Sequence, residues 1–378
     1  MKNAIYLDNA ATTKVDEDIL DEVTSYMRDS YGNPSSIYMD GKAAKKIIES
    51  ARQSVALAIG ADESEIYFTS GGSEADNWIL RQARNTEKKA LVTSKIEHYA
   101  VLNTAEYLSQ NGVNVTYLDV DAKGRIISDK LENAGDEDIS LVSLMYANNE
   151  VGTIQDIKRL SQIAHEKGAI FHTDAVQALG KVKIDVKTDN IDALSLSGHK
   201  IHAFKGVGVL YVNKDIKISP LIFGGEQESG KRAGTENVGG IMSLGLACKK
   251  IVAEQEQKNN ENMRGLRDYF IQKVLQNIDG VILTGDKTNR LCNIASFCFK
   301  DLDSSLMLIL LDKEGVCVSN GSACMSGSPE PSHVLQAMGT AKEYLNGNLR
   351  FSLSKYTTKD ELDKAFAVLK NAIDKLRN

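Results

Sequence analysis

No stretch of the 378-residue sequence approaches the roughly 20 consecutive apolar residues that a helix needs to cross a bilayer. The first residues of the chain also lack the apolar core of a secretory signal peptide. The sequence therefore shows no sign of a membrane-spanning segment or of a signal for secretion. We therefore expect a protein without a membrane partner.

Cysteine is scarce as well. The five cysteines are an odd number, none forms a Cys-x-x-Cys pair, and a chain of this length does not need disulfides to stabilise its core. They are Cys248, Cys292, Cys298, Cys317 and Cys324. We expect free thiols in a reduced, cytoplasmic protein, and no metal site.

Positive charge is not in excess either. The formal net charge is -6, which argues against a surface built to bind a polyanion. Hydrophobic residues make up 42% and charged residues 25% of the chain, as in an ordinary globular protein. We therefore expect no direct nucleic-acid partner.

Strand-like and helical patterns alternate through the first half of the chain. Strands are predicted at 66–69, 91–94, 113–120, 141–146, 170–173, 193–197 and 207–212, with helices at 75–84, 100–110 and 157–166. This order predicts a mostly parallel sheet flanked by helices, with ligands beyond the carboxyl ends of the strands. The last two strands have only a short link, which favours an antiparallel pair.

The pattern changes after residue 225. One long polar helix is predicted over 238–277, followed by short strands at 281–283, 294–299 and 316–319 and helices at 304–311, 332–338 and 359–376. We predict a large domain at 14–240 and a smaller α+β domain formed by 1–13 and 241–378.

One lysine stands at the centre of the pattern. The strand-like run at 193–197 leads into Ser197-Gly198-His199-Lys200, and the next strand follows soon after. Such a lysine is either solvated at a loop tip or held in a pocket, where desolvation lowers its pKa and makes it a nucleophilic amine. A single lysine favours the first alternative, so the second depends on what lies nearby.

A phosphate-binding turn is one candidate neighbour. Gly71, Gly72 and Ser73 lie between a predicted strand and a predicted helix. The free N–H groups and the positive dipole end of such a helix start bind phosphate. Alone, the pattern is more typical of an ordinary strand-to-helix turn.

Polar residues also follow three other predicted strands. Asp174 ends one, where a carboxylate is costly unless it caps a helix or pairs with a cation such as a pyridinium N–H. Gln177 comes three residues later. His98 and Asn149 follow two further strands, and each alone would be typical of a cap or a turn. We expect these groups to meet at one edge of the sheet.

Two more candidates lie in the second half. Cys324 belongs to a segment of small residues, whereas cysteine used for packing prefers the apolar interior. A thiol on an exposed loop suits nucleophilic attack and transfer to a partner, and an incidental surface cysteine is the alternative. Arg350 lies inside an apolar strand, so it is expected to bind either a substrate carboxylate or an internal carboxylate.

Taken together, these motifs resemble those of the NifS/IscS-type cysteine desulfurases, pyridoxal-phosphate enzymes of the class V aminotransferase group with the type I fold. The resemblance runs from residues 6–13 to 350–353 and is most specific at Ser197-Gly198-His199-Lys200 and Gly321-Ser322-Ala323-Cys324. It implies an α/β fold with a smaller α+β C-terminal domain. It also implies removal of sulfur from L-cysteine, which gives L-alanine and a persulfide on Cys324.

The resemblance assigns a role to each candidate. Lys200 would bind pyridoxal 5'-phosphate covalently and move protons, and Cys324 would attack the substrate sulfur. The others would stack on the ring (His98), pair with its nitrogen (Asp174), reach its hydroxyl (Gln177), hold the phosphate and its surroundings (Gly72, Ser73, Ser197, Gly198, His199) and bind the substrate carboxylate (Asn149, Arg350). Thr235 would reach the phosphate of a neighbouring subunit, which implies a homodimer.

The chain departs from the family pattern in two places, and alternatives follow. Ala203-Phe204 stands where Gly-Pro is usual, and Glu226 and Ser229 stand where a glycine and an arginine are usual. The alternatives are another type I pyridoxal-phosphate enzyme, such as an aminotransferase or selenocysteine lyase, and a degenerate relative that binds partners without catalysis. The resemblance leaves two acceptors for the persulfide, an iron–sulfur cluster scaffold or a tRNA-thiolating enzyme.

Overall fold

A computed structural model of the chain describes residues 4–85, 89–133, 139–321 and 331–377. The strands in these ranges are β1 (Ile5–Tyr6), β2 (Ile66–Thr69), β3 (Ala90–Ser94), β4 (Asn114–Leu118), β5 (Ile139–Ser143), β6 (Ile170–Asp174), β7 (Ala193–Ser197), β8 (Gly208–Val212), β9 (Val281–Leu283), β10 (Ile294–Phe299), β11 (Val316–Cys317) and β12 (Asn348–Ser352).

The helices of the same ranges are α1 (Glu17–Asp29), α2 (Met39–Ile59), α3 (Gly72–Leu80), α4 (Tyr99–Gln110), α5 (Ser128–Glu132), α6 (Ile157–Glu166), α7 (Gln227–Gly230), α8 (Val238–Ile251), α9 (Glu254–Asn277), α10 (Ser304–Lys313), α11 (His333–Ala337), α12 (Lys342–Leu345) and α13 (Lys359–Arg377). In the part of the chain that the structure describes, none of these helices is long and apolar enough to cross a membrane.

Seven strands form the central sheet, in the order β2-β8-β7-β6-β5-β3-β4. All neighbours from β7 to β4 are parallel, whereas β8 runs antiparallel to both β7 and β2. The mostly parallel sheet and the antiparallel pairing of β7 with β8 are thus confirmed. Because β2 and β7 point the same way, the carboxyl ends of β2, β3, β5, β6 and β7 share one edge of the sheet.

Alternating residues of the central strands pack into two separate cores. Leu91 and Leu141 lie in one with Trp78 of α3, while Val92 and Val142 lie in the other with residues of α2, α6 and α8. All residues of β3, β5, β7 and β8 are buried, as expected for strands with helices on both faces.

A smaller antiparallel sheet, in the order β12-β10-β9, forms a third core. Its centre is a group of aromatic rings, in which the ring centroids of Phe270 and Phe351 lie 4.9 Å apart. The start of the chain joins this core, since β1 pairs in parallel with β11 and Leu7 is buried there. The first residues therefore pack beside segments from the other end of the sequence.

The predicted helix over 238–277 is two helices, α8 and α9, separated at residues 252–253. Leu244 and Ala247 of α8 lie in the core beneath the central sheet, whereas Phe270 and Val274 of α9 lie in the smaller core. The division into domains at residue 240 stays a prediction. The packing places α8 with the larger core.

Gly208 on β8 allows the chain to pass directly beneath the β2–α3 turn. A Cβ atom at this position would lie 2.6 Å from the Gly71 Cα and 2.6 Å from the Leu196 carbonyl oxygen. Both are backbone atoms, so neither can rotate away. We expect Gly208→Ala to lower the free energy of unfolding by about 1–3 kcal/mol, measured by urea denaturation.

Gly265→Ala is the matched control. This glycine lies in α9, and an added Cβ meets nothing within 4 Å. Because alanine favours helix more than glycine does, the control is expected to be neutral or stabilising. Equal stability of the two variants would contradict the close approach at Gly208.

Candidate active site

A cavity of about 340 Å³ lies at the shared carboxyl edge of the central sheet. The predicted site residues that line it are Gly72, Ser73, His98, Asn149, Asp174, Gln177, Ser197, His199, Lys200 and Arg350. The strand directions explain this convergence, because the segments that carry most of these residues leave the sheet at the same edge.

Two predicted residues in the described part of the chain, Gly198 and Thr235, do not line the cavity, and a third lies outside that part. Gly198 is buried in the turn beneath Lys200, where its N–H donates to the Val207 carbonyl. Thr235 is exposed on the surface. Cys324 lies outside the described residues, and Gly321, three positions earlier, lines the cavity.

Lys200 ends a short 3₁₀ turn that follows β7. Its Nζ donates to the carbonyl oxygens of Ala10 and Ala11, at 2.6 and 2.7 Å. The Nε2 of Gln177 donates to the same Ala10 carbonyl, at 2.9 Å. The N-terminal segment therefore crosses the cavity and contacts the candidate catalytic amine, a contact that the residue pattern alone did not reveal.

Asp174 is the last residue of β6 and is buried. Its Oδ1 accepts from the N–H of Val176 at 2.9 Å, and a turn rather than a helix follows, so the helix-cap alternative does not apply. Burial raises the pKa of the carboxyl group, and His98 and Lys200 oppose this rise. A cation in the cavity would favour its ionised form.

Two further buried acids, Asp76 and Glu97, lie near Asp174. Burial raises the pKa of Asp76 well above its ordinary value, and repulsion by Asp174 adds to the effect. Burial raises the pKa of Glu97 to about 8. Burial thus disfavours the charged form of Asp76 and Glu97, whereas His98 and Lys200 favour the charged form of Asp174. Sequence reasoning missed both, although each is an acidic residue beside a noted motif.

His98 is both a helix cap and a cavity residue. Its Nδ1 accepts from the N–H of Ala100 at 3.1 Å at the start of α4, so in the neutral ring the proton is on Nε2. Burial lowers the pKa of His98, and the Asp174 carboxylate opposes this. The ring is thus suited to stacking and to hydrogen bonding in its neutral form.

A second histidine, His172, lies in β6 beneath the cavity. Its ring nitrogens contact the hydroxyls of Ser143 and Ser195 at 2.8 and 3.0 Å. Burial lowers its pKa to about 3, so the ring is neutral. Nothing in the sequence pattern distinguished this residue from the apolar strand around it.

The start of α3 forms the opposite end of the cavity. No side chain caps this helix, and a Cβ at Gly72 would lie 2.6 Å from the Val176 methyl group, so glycine is required for the close approach. His199 contacts the Thr12 hydroxyl through Nδ1 at 3.1 Å. Burial and the Lys200 charge lower the pKa of His199 to about 4, so it acts as a neutral hydrogen-bonding group.

Arg350 forms the ion pair that was one of its two predicted alternatives. Its Nη2 lies 2.9 Å from the Asp8 carboxylate, and its Nη1 donates to the Asn149 carbonyl at 2.8 Å. Its Nε has no hydrogen-bond partner among the described residues. The guanidinium can therefore serve an internal carboxylate and a ligand together.

The departures from the family pattern are accommodated locally. Ala203 is buried, and the N–H of Phe204 donates to the Ser243 hydroxyl at 3.1 Å. At the second departure, Glu226 and Ser229 are both exposed, and Ser229 and its neighbour Glu228 have positive φ angles. The buried Glu228 carboxylate forms an ion pair with Arg52, in which Oε1 lies 2.8 Å from Nη2.

Comparison with known proteins identifies the family. The profile of the family described as Aminotransferase class-V matches residues 5–365. The chain belongs to this family. It is 47% identical to "Cysteine desulfurase IscS" of Methanosarcina thermophila, over 99% of this chain and 93% of that protein. It is 43% identical to "Cysteine desulfurase NifS" of Azotobacter vinelandii, over 99% and 94%.

A solved "NIFS-LIKE PROTEIN" has the same fold, with a TM-score of 0.93 and 37% identity over 99% of this chain and 100% of that one. The predicted type I α/β fold is confirmed. Class V enzymes of this group use pyridoxal 5'-phosphate, so the predicted cofactor is confirmed as well.

The cavity fits this cofactor. It combines an uncapped helix start for a phosphate, a buried Asp174 for a ring nitrogen, and an amine on Lys200. The Oε1 of Gln177 is buried with no hydrogen-bond partner in the described chain, and a ring hydroxyl would satisfy it. No group of acids, histidines and cysteines within the described ranges could hold a metal ion.

The raised pKa of Glu97 makes folding depend on pH. Between its ordinary value of 4.5 and about 8, the folded state keeps a proton that the unfolded chain releases. Stability therefore falls as pH rises through this window, by up to about 1.4 kcal/mol per pH unit. Glu97→Gln stays neutral, so we expect a smaller loss of Tm between pH 5 and 8 than in the parent chain.

The control is Glu17→Gln, at a side chain that is 78% exposed. It is expected to leave the pH dependence of Tm as it is in the parent, with both proteins saturated with cofactor. An unchanged slope in Glu97→Gln would mean that Glu97 is ionised in the folded protein.

Proposed function

We propose that this chain is a cysteine desulfurase, which removes sulfur from L-cysteine, releases L-alanine and keeps the sulfur as a persulfide on Cys324. One observation carries the proposal: Lys200, Asp174, His98 and Arg350 line one cavity of a class V chain. The full-length relatives named cysteine desulfurase, at 43–47% identity, support the same activity.

The cofactor would be held at three points. Lys200 would bind it covalently, and Asp174 and Gln177 would hold its ring. Its phosphate would lie against Gly72, Ser73, Ser197 and His199. When bound, the ring withdraws electrons from the substrate's Cα and leaves the sulfur open to a nucleophile.

The remaining groups would bind and orient the substrate. Arg350 would take the α-carboxylate through its Nε, and Asn149, whose carbonyl already holds Nη1, would border the same position. His98, neutral because burial lowers its pKa, would stack on the ring. The Lys200 amine would move protons at the substrate's Cα.

Cys324 would be the sulfur nucleophile. Its thiolate would attack the substrate sulfur, the Cβ–S bond would break, and the electron pair left on carbon would take up a proton to give alanine. The described cysteines suit this role poorly, since burial raises the pKa of both Cys248 and Cys298 to about 12. Cys292 is also buried.

Purified protein with pyridoxal phosphate and L-cysteine is expected to release alanine and to add one sulfur atom to Cys324, as seen by peptide mass spectrometry. Cys324→Ala should lose at least 100-fold in sulfide release, because the nucleophile is absent, while keeping the visible absorbance of the cofactor. Cys317→Ala, at a partly buried thiol whose pKa burial raises, is the matched control and should keep its rate.

These outcomes separate the alternatives. An aminotransferase would keep full turnover in Cys324→Ala, and a selenocysteine lyase would act on selenocysteine but leave cysteine intact. A non-catalytic relative would be colourless with the cofactor and form no alanine.

We also infer a homodimer. Four apolar side chains are more than four-fifths exposed. Three lie in a first segment, 31–39 (Tyr31, Ile37 and Met39), and one lies in a second segment, 223–235 (Phe223). Pro34 of the first segment and Glu226 of the second line one groove, so the segments are neighbours. Exposed apolar surface of this extent is typical of an interface. Thr235, exposed on the second segment, would reach the phosphate of the other subunit.

Phe223→Asp is expected to convert the dimer to a monomer in sedimentation velocity, because a charge would be buried at the contact. Leu306→Asp is the control, at an exposed apolar residue of α10 away from the groove. It should leave the sedimentation coefficient unchanged. A parent chain that sediments as a monomer would contradict the inferred interface.

We infer that the persulfide passes to an acceptor protein in the cytoplasm, an iron–sulfur cluster scaffold or a tRNA-thiolating enzyme. The net charge of -6 argues against direct binding of nucleic acid. The acceptor would therefore be recognised as a protein surface.

A further inference from the structure

The guanidinium of Arg350 is shared between the cavity and a carboxylate from the start of the chain. Asp8 Oδ1 lies 2.9 Å from Nη2, and the Asn149 carbonyl accepts from Nη1 at 2.8 Å. The arginine side chain is only 5% exposed, and it lines the cavity. Each terminal nitrogen thus has a protein partner, whereas Nε has none among the described residues.

The backbone around Asp8 fixes the position of this carboxylate. Its carbonyl accepts from the Tyr6 hydroxyl at 3.2 Å and from the N–H of Ala11 at 3.1 Å. Residue 8 also bridges Ser352 on β12, the strand that carries Arg350. These contacts use backbone atoms of Asp8, so its side chain can be changed without removing them.

The charges around the cavity show what Asp8 contributes. Among the described lining residues, Lys200 and Arg350 are the basic side chains of Lys and Arg type, and the charge of Lys200 favours the ionised form of Asp174. Burial raises the pKa of Glu150, beside Asn149, to about 7. Burial thus disfavours the charged form of Glu150, and Asp8 is the carboxylate that Arg350 contacts directly.

We propose that Asp8 is a positioning residue that makes the carboxylate-binding end of the cavity selective for amino acids with one acidic group. The inference rests on the proposed binding of the substrate carboxylate by Arg350. With Asp8 and the Asn149 carbonyl on the two terminal nitrogens, Arg350 has Nε and its remaining hydrogens for one carboxylate. The Asp8 charge repels a second acidic group on the same ligand.

The test compares two unreactive ligands on the full-length chain loaded with pyridoxal phosphate. L-Alanine and L-aspartate are titrated against the visible absorbance of the bound cofactor, and the ratio of their Kd values is measured. Asp8→Asn keeps an oxygen that accepts from Nη2 but removes the charge. The Kd of aspartate is therefore expected to fall roughly tenfold relative to that of alanine.

Two further variants isolate the charge. Asp8→Glu keeps it, so the ratio of the parent should persist. Asp286→Asn is the matched control, because Asp286 also pairs with an arginine, but that residue, Arg125, does not line this cavity, whereas Arg350 does. It should leave both Kd values unchanged.

An unchanged ratio in Asp8→Asn, with the absorbance of the cofactor retained, would overturn the proposal. A ratio that changes equally in Asp8→Glu would also overturn it, since the charge would then not be the cause. If the parent chain binds the cofactor but its absorbance responds to neither amino acid, the carboxylate role of Arg350 fails, and this inference fails with it.

Discussion

The burial of one ionisable carboxylate, Asp174, is the constraint on which the site depends. A charge at the end of a buried strand is costly unless a cation lies beside it. The surrounding structure reduces that cost, because Val176 donates a hydrogen bond and burial disfavours a charge on the nearby Asp76 and Glu97. In the proposed site a pyridinium nitrogen would complete this balance, so the cofactor and the fold would stabilise each other.

The N-terminal segment links the two cores around this carboxylate. Its carbonyl groups hold Lys200, its threonine contacts His199, and Asp8 holds Arg350. The segment itself is fixed by β1, which pairs with β11 in the smaller core. A few residues of extended chain therefore set the geometry between the cofactor end and the substrate end of the cavity.

Strand direction made much of the site predictable from the sequence. Polar residues after parallel strands meet at one edge, so His98, Asp174 and Lys200 could be placed together without coordinates. Asp76, Glu97 and His172 could not, because they lie inside helical or apolar patterns and act through burial. Asp8 could not either, since its contact with Arg350 depends on packing between distant segments.

The pairing of β1 with β11 also joins segments that are synthesised at opposite ends of translation. The segments of strands β2 to β8 have all been synthesised once Val212 has left the ribosome. The N-terminal segment that contacts Lys200 and Arg350 is fixed by pairing with Val316 and Ser352, which are synthesised near the end of translation. All strands of the central sheet are therefore synthesised before β12, the strand that carries Arg350.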